Sequence, residues 1–293
     1  MTRIALCQIP VSTDPSANLD QVRRSMERAA ADGAELAILP EASLTRYGRR
    51  ITELAEPLDG PFVTGLAESA RAHGLAVIAG VFESGADPGA DSGTEPGTEP
   101  STEPGAGPVA GDGRAPRVRN TAVAIGPDGE LKAAYRKIHL FDSFGARESE
   151  LVEPGDEPVV VELAGLRVGL VTCYDLRFPE LTRALADLGA DLFAVIAAWG
   201  SGPMKEEHWT TLVRARAIEN TTWTAAVGQA PNPEAADGFG IGRSLLVDPM
   251  GVVRADLGPT PAVQTCVLDP QVTIVTRNAL PCLEHRRLSP KRS

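Results

Sequence analysis

Apolar positions along this chain recur with two different periods, and the way those periods alternate sketches an α/β protein. Thr2 to Ile9 alternates as a half-buried strand, and Ser16 to Gly33 then places Leu19, Val22, Met26, Ala29 and Ala30 at helical spacing. Leu36 to Leu39 is a short apolar run suited to a buried strand. Pro61 to His73 reads as a second helix with Phe62, Leu66 and Ala70 inward, and Leu75 to Phe82 as a third strand. The chain up to Phe82 therefore spells βαβαβ. Farther on, Asn120 to Gly126 and Glu130 to Phe141 flank Pro127, Asp128 and Gly129 as the arms of a hairpin, and Val159 to Leu163 pairs with Leu166 to Cys173 around Ala164 and Gly165. Helices are predicted over Pro179 to Leu188 and His208 to Glu219. Strands follow at Leu192 to Ala198, Trp223 to Gln229, Ser244 to Val247, Val252 to Asp256 and Ala262 to Leu268.

One stretch breaks the pattern. Ser84 to Gly113 holds 8 Gly, 5 Pro, 6 acidic side chains and no basic one, with Thr-Glu-Pro recurring at 94, 98 and 102. It offers too little apolar surface to offset the entropy of ordering it, so a floppy acidic insert is expected, either a tolerated loop expansion or a docking segment. No second linker of this kind occurs. The reading is one layered α/β domain over residues 1–293, interrupted at about 84–113.

Composition narrows the function. The net charge of −11 and only 13 aromatics among 293 residues disfavour nucleic-acid binding and anionic membranes alike. The longest apolar run, Leu192 to Trp199, is less than half a bilayer span, and Met1 to Thr13 lacks the features of a secretory signal, which makes the cytosol the expected compartment. Cys7, Cys173, Cys266 and Cys282 stand far apart, and His73, His139, His208 and His285 form no ligand cluster, so neither a metal nor another cofactor is expected.

Three segments carry candidate chemistry. Cys173 closes an apolar strand just before Pro179, a good first-turn residue; a thiol at such a junction meets free amide donors and a positive helix end, which favours thiolate, although a cysteine there also serves as a small buried hydrophobe. Glu41 stands at the end of the run Ala37 to Pro40, where partial desolvation raises a carboxyl towards a general-base value, unless it is an exposed loop acid or cap. Strand alternation puts Tyr135, Lys137 and His139 on one face, and an ammonium among buried strands needs an anion or must snorkel to the edge.

Taken together, Leu39-Pro40-Glu41, Tyr135 to Asp142 and Cys173-Tyr174-Asp175-Leu176-Arg177-Phe178-Pro179-Glu180 closely resemble the nitrilase superfamily of carbon-nitrogen hydrolases, in order and in spacing. Trp209 to Asn220 and Gly242 to Gly251 extend the resemblance, and the cysteine segment looks most like the Nit-type amidases. The resemblance implies a four-layer αββα sandwich with two central mixed β-sheets, usually dimerised through helices near the nucleophile, for which Pro179 to Leu188 and His208 to Glu219 are the candidates. It implies that Cys173 attacks an amide or nitrile carbon, Glu41 moves the proton and activates water, Lys137 stabilises the anionic intermediate and the Tyr174 backbone donates to it. Glu148, in the pair Glu148-Ser149, matches a second glutamate that orients Lys137 or the substrate nitrogen, with a surface loop acid as its plain alternative. Arg177 either binds a substrate carboxylate or holds its loop through Asp175. Trp199 lines the pocket or fills the core. His139 as base of a Cys-His pair is disfavoured by Lys137 on the same face.

The expected function is cofactor-free hydrolysis of a small linear amide, including an omega-amide of a carboxylic acid, to carboxylate and ammonia through a Cys173 thioester. A nitrilase or N-carbamoyl hydrolase uses the same three residues. A non-catalytic oligomeric interaction module is the alternative of another class.

Overall fold

The computed structural model describes residues 1–85, 117–232 and 239–288, so the acidic stretch at 84–113 lies outside the described residues apart from Ser84 and Gly85. Strands β1 (Thr2–Gln8), β2 (Leu36–Ile38), β3 (Ala76–Glu83), β4 (Val118–Ile125), β5 (Leu131–Arg136) and β6 (Val152–Glu153) lie in one sheet. A second sheet holds β7 (Val160–Leu163), β8 (Leu166–Thr172), β9 (Leu192–Ala197), β10 (Trp223–Gly228), β11 (Leu245–Val247) and β12 (Val253–Asp256), and β13 (Ala262–Leu268) returns to the first. The orders are β13-β1-β2-β3-β4-β5, with β6 beside β4, and β12-β11-β10-β9-β8-β7. Each sheet is mixed: β1, β2 and β3 run parallel, as do β8, β9 and β10, and antiparallel neighbours complete both.

Side-chain alternation builds the layers. On β1, Ile4 and Leu6 face the second sheet, while Ala5 and Cys7 face helices α1 (Pro15–Ala31) and α3 (Pro61–His73), which precede and follow the short α2 (Ile51–Leu54). Val22 and Met26 of α1 and Phe62 and Leu66 of α3 fill that outer core, each large side chain worth about 1.5–3 kcal/mol on burial. On the far side, α4 (Pro179–Asp187) and α5 (Lys205–Asn220) cover the second sheet with Leu181, Leu185, Trp209 and Val213. The architecture is thus helices, sheet, sheet, helices. Among the described residues no helix is long and apolar enough to cross a membrane.

Local chemistry sets the helix ends. Asp14 caps α1 by accepting from Ser16 N at 2.9 Å, and Pro15 opens its first turn. The hairpin of β7 and β8 turns on Ala164 and Gly165, both at positive φ, as its two-residue loop requires.

The pattern reading does not predict the short α2 and β6, and three longer elements depart from it. The arm expected to run to Phe141 ends at Arg136: Lys137 N still donates to Asn120 O of β4 at 2.9 Å, but the amides that follow are taken by side chains, Ile138 N donating to the Tyr135 hydroxyl at 3.4 Å and His139 N to Asp175 Oδ1 at 2.9 Å. Helix α5 begins at Lys205, one turn before the expected His208. Helix α6 (Pro270–Ala279) was not foreseen, since Val272 to Thr276 is a run of β-branched residues that reads as strand.

Candidate active site

Parallel strands leave their carboxyl ends open, and in layered α/β proteins that rim is where ligands bind. Here β2 leads to Glu41, β8 to Cys173, β9 to Ala198 and β10 to Gln229, while the segment after β5 brings Lys137 to the same place.

Glu41 is 1% exposed and held from both sheets. Its Oε1 accepts from Asn120 Nδ2 at 2.7 Å and Lys137 Nζ at 3.1 Å; its Oε2 accepts from the Ala198 amide at 2.7 Å. Gln229 Nε2 donates to its backbone oxygen at 2.8 Å. The chain turns sharply at Ala42, which has φ +57°, and packs on Gly80 of β3, where a Cβ would lie 2.5 Å from Glu41 Cα.

Lys137 is equally buried and sits between two carboxylates. Its ammonium donates to Glu41 and, at 3.1 and 2.9 Å, to both oxygens of Glu148. Burial works against the charged form, but Glu41 and Glu148 outweigh it, so Lys137 holds its proton well above the usual lysine range. Glu148 opens a 3-10 turn and is buried, not a surface acid. It also accepts from the Tyr47 hydroxyl, from Asn120 Nδ2 at 3.1 Å and from the Phe141 amide at 2.7 Å. Burial raises its proton affinity, yet Lys137 and these donors pull it below the ordinary glutamate value. The loop is folded back by Asp142, which takes the Ser149 hydroxyl at 2.6 Å and amide at 3.0 Å.

Cys173 is half-buried and adopts φ +49°, the left-handed region that costs an L-residue about 1–3 kcal/mol. It opens a 3-10 turn, Cys173–Arg177, ahead of α4. The expected tendency to thiolate is not found. Burial pushes the thiol up, and the charge and hydrogen bond of Glu41 add to that, outweighing the opposing pull of Lys137.

These side chains line one cavity of about 510 Å³, room for a small substrate. Tyr174 lines it, its ring edge-on to Phe141 and Phe178 at 5.0 and 5.2 Å. Trp199 does both things considered for it: 4% exposed, it borders the cavity and packs on Trp209. Arg177 does not hold Asp175; its guanidinium lies over the Trp199 ring at 4.9 Å, facing the cavity, and nears His208 Nδ1 at 3.5 Å. His139 is turned away, stacked on Phe178 at 3.8 Å with Nδ1 2.7 Å from Asp175 Oδ1. Cys7 is buried among apolar residues, and Cys266 and Cys282 lie outside the cavity lining.

Several contributors escaped the sequence reading. Asn120, in β4 just before the apolar run Ala122 to Ile125, was legible as an anomaly, since asparagine is depleted in strands. Tyr47 and Lys205 gave no signal. The Lys205 ammonium stands over the Phe144 and Phe141 rings at 4.1 and 5.3 Å, and burial, with Arg177 nearby, lowers its proton affinity.

Comparison with known proteins agrees with this geometry. The profile of the carbon-nitrogen hydrolase family matches residues 3–278. A hydrolase of Mycobacterium tuberculosis is 40% identical over 294 residues, covering 97% of this chain and 95% of its own. The deaminated glutathione amidase of Escherichia coli O157:H7 is 33% identical over 291 residues, covering 98% of each. The crystal structure of a CN-hydrolase superfamily protein from Xanthomonas campestris superposes with a TM-score of 0.80 at 28% identity, again covering 98% of each chain. With its two mixed sheets between helices and a family match spanning nearly its whole length, the chain belongs to the carbon-nitrogen hydrolases.

Proposed function

We propose that the protein hydrolyses a small linear amide to a carboxylate and ammonia through a thioester on Cys173, without a cofactor. The observation that carries this reading is the buried Glu41, Lys137, Glu148 cluster lying beside the thiol on the floor of one cavity. Glu41 takes the thiol proton as sulfur adds to the carbonyl carbon. Lys137 and the Tyr174 backbone N–H face the oxygen that becomes negative. When the carbon–nitrogen bond breaks, the proton on Glu41 passes to the departing nitrogen, which leaves as ammonia. Glu41 then deprotonates water, hydroxide adds to the thioester, and the thiolate leaves and recovers its proton. A hard amide cleavage is thereby divided into two easier steps. Glu148 fixes Lys137 in place.

Charge at the mouth favours an amide that also carries a carboxylate, such as an omega-amide. Arg49, Arg147, Arg177 and Lys205 border the cavity, whereas the two acidic residues that line it among the described residues, Glu41 and Glu148, are already bonded to Lys137. At this short range they outweigh a net charge of −11 spread over the whole chain.

Intact-mass spectrometry with a slow amide substrate tests the reading: an acyl adduct on Cys173 is expected, absent from Cys173→Ala, and unchanged turnover by that variant sinks it. Parallel assays with an amide, a nitrile and a carbamoyl compound separate the two sister activities, and no turnover of any leaves the interaction module. A homodimer through α4 and α5 is proposed as well, and a monodisperse monomer by light scattering at micromolar concentration refutes it. The cytosol is the proposed compartment, where the four free cysteines stay reduced.

A further inference from the structure

We infer that Asp175 is a positioning residue for the reaction, a single buried carboxylate that fixes the distance between the Cys173 turn and the segment bearing Lys137. Asp175 is fully buried and touches neither Glu41 nor Lys137. Its Oδ2 accepts from the Tyr135 hydroxyl at 2.7 Å and the Thr172 amide at 3.1 Å; its Oδ1 accepts from the His139 amide at 2.9 Å and approaches His139 Nδ1 at 2.7 Å. Thr172 immediately precedes the nucleophile. Tyr135 and His139 stand two residues before and two residues after Lys137. The carboxylate therefore grips the peptide next to Cys173 with one bond and brackets Lys137 with the other three.

The ordinary reason for an acid at this place is to cap the 3-10 turn, and the Thr172 bond is such a cap. A cap accounts for that bond alone. The rest cross from the second sheet to the first, and among the described residues no lysine or arginine is bonded to Asp175, whose one basic neighbour is the His139 imidazole. Burial and Asp175 itself push Tyr135 well above the usual tyrosine range, which keeps its hydroxyl a donor.

The other reactive groups have separate anchors. Glu41 is held by Ala198 and Asn120, and the far side of the nucleophile turn by Arg216, whose Nε donates to Leu176 O at 2.9 Å. Lys137 is itself held to the first sheet by Glu41 and Glu148 at its ammonium and by Asn120 O at its amide, so loss of Asp175 loosens above all the spacing between that cluster and the turn that carries the sulfur. A displacement near 1 Å costs on the order of a hundredfold in rate.

The inference rests on Cys173 being the nucleophile, and its test has one readout that needs no amide turnover. In the full-length protein, Asp175→Asn is expected to lower kcat about 100-fold with KM within about threefold of wild type. Tyr135→Phe, which removes one donor and spares the fold, is expected to lower kcat about tenfold by the same route. For both, the pH profile of Cys173 alkylation by iodoacetamide, read by intact mass below the thermal midpoint, shifts to higher pH, because Lys137 no longer favours the thiolate from its fixed place. Wild-type kcat with an unmoved alkylation profile, accompanied only by a lower thermal midpoint, makes Asp175 a turn cap and overturns the inference. Should Asp175→Asn fail to fold, Tyr135→Phe decides between the same outcomes. If wild type turns over no amide, the alkylation profiles still decide the positioning role, while the proposed reaction falls separately.

Discussion

Glu148→Gln is the substitution that most sharply separates an acid that merely neutralises Lys137 from one that tunes the reaction. The change conserves volume and removes one negative charge. Both oxygens of Glu148 are surrounded by donors: Oε2 by Lys137 at 2.9 Å and the Phe141 amide at 2.7 Å, and Oε1 by Tyr47, Asn120 and Lys137. Whichever way a glutamine amide is turned, its NH₂ meets at least two of them. Lys137 then keeps one anion, Glu41, and the ammonium at 3.1 Å from Glu41 Oε1 is drawn closer. Glu41 becomes a weaker acceptor for the Cys173 proton. The change amounts to one charge-assisted hydrogen bond, about 1.5–3 kcal/mol, carried into the barrier. At about 1.4 kcal/mol per factor of ten, kcat falls about 10- to 100-fold.

Ammonia release measured against substrate concentration checks this, with KM expected to move by less than about threefold because the loss is confined to the reacting centre. The stability effect has a definite sign. Glu148 is held below its ordinary value, so its contribution is complete above the unfolded-state glutamate range and is lost as pH falls through the folded-state value. The difference in urea midpoint between variant and wild type should shrink on acidification. A folded variant with wild-type kcat refutes the reasoning, and so does a penalty confined to KM.

Three further outcomes follow from particular contacts. Gly80→Ala should lower stability by about 1–3 kcal/mol by thermal melting, and kcat with it, because its Cβ would meet backbone atoms of Glu41 and Ala42 at 2.5 and 2.6 Å; an unchanged melt contradicts this. Arg136→Ala strips the buried Glu83 of its bonds at 2.7 and 2.9 Å while Arg119 remains at 3.8 Å. Burial works against ionised Glu83 but its partners hold it below the ordinary value, so the penalty in urea unfolding should be larger at pH 7 than at pH 4, and an equal penalty at both refutes the pairing. Cys7, pushed to about 12 by burial, should resist iodoacetamide in the native protein and react only after denaturation, as peptide mass mapping would show.

How much of this was legible beforehand depends on whether a feature is written in a short window or made by distant pairing. The βαβαβ opening, both hairpins and the β8-to-α4 junction follow from periodicity and turn residues, and each lies near its expected place. Glu41, Lys137, Glu148 and Cys173 were all singled out, and they meet in one cavity. Their electrostatics were not legible. The Cys173 window reads as thiolate-favouring, and burial together with the arrival of Glu41 from 132 positions away reverses that balance. The segment from Ile138 to Phe141 shows the same limit. Its alternation is that of a strand, but the Ile138, His139 and Phe141 amides are claimed by Tyr135, Asp175 and Glu148 side chains, so the backbone leaves the sheet where the chemistry begins. Alternating residues record which way side chains point, whereas strand pairing depends on what occupies the amides, and at this rim buried carboxylates occupy them. Those carboxylates require a chain that has left the sheet, since amides already paired to a neighbouring strand could not donate to them. The break in the ladder after Lys137 is therefore part of how the site is built.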